Sequence, residues 1–159
     1  MNKQVTNHLM MIRPVAFYMN DQTAVNNYYQ QSEEGVSAEE IQDQARSQFD
    51  GFVEKLRAEG VDVTVFEDTL DEATPDSIFP NNWISFHQEG NIRLYPMYAE
   101  NRRKERREDI IDGLREKFTI DQVIDHAHWE AQNSYLEGTE NQQTSSNSRI
   151  LTPRYIQDY

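Results

Sequence analysis

The sequence predicts an α/β fold. Three observations carry that expectation. Segments with the two-residue period of strands alternate with segments of helical period; a helix start is written out at Ser37 and Glu40; and turn residues separate the elements in the order β, α, β, β-hairpin, α, β. A chain of 159 residues fits one ordinary domain and is long enough to bury a core.

Residues 9–17, LMMIRPVAF, read as a short apolar strand that Pro14 breaks or confines to a sheet edge. Residues 18–36 are rich in Asn, Gln and Tyr and read as loop. Ser37 and Glu40 then form a capping box, hydroxyl and carboxylate each taking a free N–H at the helix start. Ile41, Ala45, Phe49, Phe52, Val53 and Leu56 recur at helical spacing and predict one buried stripe, and Gly60 is a natural terminator. VDVTVFE at 61–67 alternates, placing Val61, Val63 and Val65 on one face of a strand. A polar loop over 68–83 is bracketed by Pro75 and Pro80. WISFH and IRLYPM flank Gln88-Glu89-Gly90 and predict a hairpin. A charged helix over about 101–117 would bury Ile110, Ile111 and Leu114, and a strand follows within 120–130. Composition breaks at Thr139: residues 140–148 hold no apolar side chain, and such a stretch cannot bury enough surface to offset its ordering entropy. The expected division is a domain over 1–139 and a polar, disordered or frameshifted tail over 140–159.

The net charge of −13 argues against nucleic acid and anionic membranes as partners. No apolar run approaches a membrane span, and the opening MNKQVTNHLMMIRP is not a secretory signal, so a soluble cytoplasmic protein is expected. The absence of cysteine excludes disulfides, thiolate metal sites and a cysteine nucleophile within this sequence.

Four constellations could carry chemistry. Asp76, Asn81, Asn82 and Trp83 sit in PDSIFPNNW, where oxygens could accept from an N–H fork and an indole could cover a planar cation; an Asx-rich turn is the plainer reading. Residues 101–109, NRRKERRED, could supply an arginine that grips a carboxylate, or simply a solvated helix face. His126, His128 and Glu130 would share one face of a strand and could meet a metal ion. Glu137 follows a short apolar stretch and precedes Gly138, a position open to a general acid or base or to an exposed loop carboxylate.

Taken in order and spacing, TPDSIFPNNWISFH (74–87), LYPMYAENRRKERRE (94–108) and YLEGT (135–139) resemble the amidinotransferase/arginine deiminase-like family. Within it the bacterial arginine deiminase-related proteins, some linked to citrulline use, are the most similar subgroup. MIRPVAF and RSQFDGFVEKLRAEGVDVTVFED match the same pattern, so the resemblance covers about residues 8–139. It implies a pentein, a β/α-propeller of ββαβ modules around a central site, with this chain as a truncated amino-terminal half holding about two such modules. It also implies a cysteine nucleophile that attacks a guanidino or ureido carbon, a histidine acid/base, an arginine- or citrulline-like substrate and no cofactor.

Residue by residue, Asp76 matches a family acid at the substrate pocket. Glu137 matches the acid that holds guanidino nitrogens near the nucleophile and is the catalytic candidate. Arg102 or Arg103 could grip the substrate carboxylate. Asn81 and Asn82 stand where many guanidine-binding relatives carry acids, and an amide both donates and accepts, which hints at a neutral ureido ligand. The family's histidine and cysteine lie beyond the point matched by Thr139; His8, His87, His126 and His128 are not in that context. The expectation is therefore an incomplete hydrolase-class site, with a frameshift or premature stop as its origin. A non-catalytic arginine- or citrulline-binding remnant and one half of a split enzyme are the alternatives. Pairing with another copy or a complementary half-chain would cover open sheet edges.

Overall fold

The computed structural model describes residues 6–24, 37–87 and 90–138. The tail predicted from residue 140 and the tip of the hairpin at 88–89 lie outside the described residues. The chain divides into two compact units, Met1–Pro80 and Asn81–Tyr159. Both are mixed α/β.

In the first unit β1 (His8–Arg13) pairs in parallel with β2 (Asp62–Glu67), His8 opposite Asp62 and Arg13 opposite Glu67. Pro14 falls just outside β1, whose end it sets, since proline cannot donate to a ladder. A short helix α1 (Asp21–Ala24) stands where the sequence read as loop. The crossover is the 21-residue helix α2 (Ala38–Ala58). Its start is the expected capping box: the Glu40 N–H donates to the Ser37 hydroxyl and the Ser37 N–H to the Glu40 carboxylate. Its end is a Schellman closure on Gly60, which sits at φ +84°, with Val61 N–H on the Leu56 carbonyl and Gly60 N–H on that of Arg57.

The predicted stripe on α2 is only partly buried. Val53 is enclosed, whereas Phe52 is 53% exposed. Two strands about 5 Å apart make a narrow floor, too narrow to cover six positions of a long helix. Arg13, at the end of β1, reaches α2 and makes a two-pronged bond to Asp50 at 2.7 and 2.8 Å. That guanidinium holds the Asp50 carboxyl below its usual range.

The second unit runs β–β–α–α–β. β3 (Ile84–Phe86) and β4 (Asn91–Leu94) form the expected antiparallel hairpin, with Gly90 at φ +74° leading into β4. β5 (Gln122–Asp125) then lies parallel to β4, giving the order β3-β4-β5. Trp83, Ile84, Ile92, Leu94, Met97, Ala99, Ile110, Ile111 and Leu114 form its buried apolar set.

Two expectations change here. The helix predicted over 101–117 is two helices, α3 (Glu100–Arg103) and α4 (Glu108–Arg115), split by extended backbone at Arg107. The split has a physical reason. Ile110, Ile111 and Leu114 are buried as predicted, but so are Arg102 and Glu105. In one continuous helix Glu105 would point away from the isoleucine face, so burying both sets requires a break. The strand predicted within 120–130 ends at Asp125, whose carboxylate accepts the Ala127 N–H at 2.7 Å and starts a 3-10 turn over Ala127–Gln132. Among the described residues no helix is long and apolar enough to cross a membrane.

Candidate functional site

The second unit gathers three of the predicted site residues. Asn82 closes a 3-10 turn, Pro80–Asn82, directly before β3; Arg102 comes from α3; Glu137 comes from the segment after the second 3-10 turn. Glu137 and Arg102 are both buried. The Asn82 amide donates to Glu137 Oε2 at 2.9 Å, and Arg102 Nη1 approaches the same oxygen at 3.5 Å. The Tyr98 N–H donates to Glu137 Oε1 at 3.3 Å. A carboxylate offers about four acceptor directions, so three donors fix its orientation.

Backbone contacts hold these pieces in register. The Gly138 N–H donates to the Asn82 carbonyl at 2.8 Å, and the Leu136 N–H to that of Pro96 at 3.1 Å. At Gly138 a Cβ would collide with the Asn81 carbonyl oxygen and lie 3.3 Å from the Tyr95 ring. The glycine after Glu137 therefore permits the close approach of two backbones.

Arg102 is not a solvated helix cation. Its Nε and Nη2 grip Glu105 at 2.9 and 3.0 Å, a two-pronged pair in which both partners are buried. Arg103 donates to the carbonyls of Met97 (3.0 Å) and Tyr98 (3.2 Å) and lies over the Tyr135 ring. Both arginines thus serve local bonds, Arg102 to carboxylates and Arg103 chiefly to backbone. Asn81 is exposed and donates to Asn82 Oδ1 at 3.2 Å. Trp83, whose indole could have covered a planar cation, is completely buried and belongs to the core.

The metal reading fails on geometry. His126 caps a 3-10 turn that contains His128 and Glu130, so the three do not share a strand face. The Glu130 carboxylate accepts the Met97 N–H at 2.8 Å and pairs with Arg106 at 2.7 Å and Arg103 at 3.5 Å. No cluster able to hold a metal ion occurs among the described residues. Desolvation holds the His126 imidazole below its ordinary pKa, with Arg93 nearby adding to the effect.

Asp76 belongs to the first unit and is likewise buried. It accepts from the Asn20 amide at 2.7 Å and the Thr23 hydroxyl at 3.0 Å. Nearby in sequence, Asp68 accepts from Thr74 at 3.1 Å and from Ser77 at 2.7 Å. The Pro75–Pro80 loop is thereby tied to the Asn20–Thr23 segment through Asp76 and to Asp68 through Ser77.

Sequence reading missed Glu105, Asn20 and Asp68. Glu105 could have been found, because it stands three residues after Arg102, a spacing that lets the two side chains meet. Asn20 is 56 positions from Asp76, and nothing local announces that bond.

The family model described as N,N dimethylarginine dimethylhydrolase, eukaryotic, matches residues 13–147. The chain belongs to this family. The broader amidinotransferase/pentein assignment made from motifs is supported by the match; the bacterial citrulline-utilisation subgroup is not. No curated protein and no solved structure matches the chain.

Proposed function

We propose that this chain provides the acid-and-amide side of a binding site for the guanidino group of an arginine derivative, and that it does not turn such a substrate over alone. The family supports the substrate class, since its printed name is that of a dimethylarginine hydrolase. The observation that carries the site is Glu137, buried and oriented by Asn82, Tyr98 and Arg102. An ionised carboxylate held this way can accept N–H groups from a planar cation.

In this reading Glu137 receives the guanidino nitrogens. Asn82 holds Glu137 in place and is a positioning residue more than a ligand-binding one. The ureido preference suggested by Asn81 and Asn82 loses force, because the Asn82 amide already donates to Glu137. Asp76 braces the loop that leads to Asn82. Arg102, held by Glu105, and Arg103, held chiefly by backbone carbonyls, shape the site in this reading instead of gripping the substrate's carboxylate. A pentein arrangement would complete the pocket with a segment carrying the nucleophile and the acid/base, supplied by a complementary chain or further sequence. The β3-β4-α-β5 order of the second unit fits one such module.

The test uses the full chain with N,N-dimethylarginine. Calorimetry is expected to show binding, while assays for the ureido product and released dimethylamine stay at background, because the sequence has no cysteine to attack the guanidino carbon. Absence of binding would overturn the proposal, and product formation would overturn its second half.

A further inference from the structure

The buried side chains around Glu137 have an uneven charge count. Arg102 contributes one cation; Glu105 and Glu137 contribute two carboxylates. The cation is not shared evenly. Two of its nitrogens face Glu105 at 2.9 and 3.0 Å, whereas the contact to Glu137 is 3.5 Å. The shorter, two-pronged arrangement is the stronger one. Glu105 therefore takes up most of the charge of Arg102 and leaves Glu137 undercompensated.

We infer that Glu105 is a specificity-determining residue: by engaging Arg102, it keeps Glu137 available to a cationic guanidinium and sets the site against a neutral ureido group. This rests on the proposed role of Glu137 as the group that receives the guanidino nitrogens. Glu105 touches no ligand in this account. It acts through Arg102, and without its charge the guanidinium of Arg102 would turn to Glu137 and occupy the position a cationic ligand needs.

The two parts of the claim separate in a double-mutant cycle. The probes are arginine, a cation, and citrulline, its neutral ureido counterpart, titrated calorimetrically into the full chain and its variants. The native chain is expected to prefer arginine. In Glu105→Gln, arginine affinity should fall by about tenfold or more while citrulline affinity moves by less than about threefold. In the double variant Arg102→Gln/Glu105→Gln, both members of the buried pair are replaced together, a change that buried pairs tolerate better than loss of one partner. There the preference for arginine should return.

A Glu105→Gln variant that keeps the native arginine-to-citrulline ratio would overturn the inference. So would a double variant that has lost the preference. Should the single variant fail to fold, the double variant decides alone: a retained preference supports the claim and a lost one overturns it. If the native chain binds neither probe, it is the proposed function that fails, and the inference falls with it.

Discussion

The two units fix their buried carboxylates by different means. In the first, Asp76 accepts from Asn20 and Thr23, and Asp68 from Thr74 and Ser77: amides and hydroxyls. In the second, Glu105 grips the guanidinium of Arg102, which also approaches Glu137 beside the neutral donors of Asn82 and Tyr98, and the half-buried Glu130 pairs with Arg106. Neutral donors fix a carboxylate without adding a charge to the interior. An ion-pair network fixes it while leaving a charge count that a ligand can alter. The comparison teaches that the buried acids of the first unit rely on neutral donors, whereas those of the second also depend on one shared cation.

That contrast makes the two units unequal under mutation. The largest effect is expected for Arg102→Ala. Removing the cation leaves Glu105 and Glu137 buried beside one another, and breaking a buried pair in this way costs roughly 3–5 kcal/mol. Urea unfolding should show the loss, with faster amide exchange in β3, β4 and β5. A loss below about 1 kcal/mol would mean that the network is not the brace of the second unit.

A smaller effect is expected on the other side. Thr23→Val removes one neutral donor to Asp76 while keeping the side-chain shape, and should cost about 1 kcal/mol. The loss should be insensitive to salt, since no ion pair is broken. A salt-dependent loss matching that of Arg102→Ala would erase the distinction between the units.

The smallest effect concerns pH. The His126 imidazole is held below its ordinary pKa by desolvation. The folded state therefore binds that proton less readily than the unfolded state does. Its contribution is fully present above the unfolded value of about 6.5 and is lost as pH falls through the lower folded value. Stability of the second unit should decline modestly over that window, and His126→Gln should flatten the decline. A native profile without any decline there would contradict the assignment.

How much of this could be read from sequence depends on distance along the chain. The capping box at Ser37 and Glu40, the Gly60 terminator and the hairpin around Gly90 were legible because each is decided within a few residues. Val53, Ile110, Ile111 and Leu114 were legible as buried because helical period marks them. The break at Arg107 was not, because nothing in NRRKERRED says that Glu105 must face inward. That requirement comes from tertiary pairing with Arg102, which no propensity scale contains. That His126, His128 and Glu130 fall outside β5 was not legible for a similar reason: Asp125 captures the Ala127 N–H and turns the chain.

The candidate site divides the same way. Glu137, Asn82, Asp76 and Arg102 were picked out by motif, and the structure joins Asn82, Arg102 and Glu137 in the second unit. What the motif could not convey is how these residues are employed. Asn82 binds Glu137, Arg102 is engaged by Glu105, and Gly138 permits two backbones to touch. These are contacts across 55 positions or between neighbouring elements, so their roles emerge only once the chain is folded.

The most direct measurement is the affinity of the full chain for N,N-dimethylarginine before and after Glu137→Gln. The glutamine keeps the size of the side chain and removes the charge. If Glu137 receives the guanidino group, calorimetry should show affinity reduced by at least about tenfold, with cooperative unfolding retained. An affinity unchanged by the substitution would contradict the account at its centre.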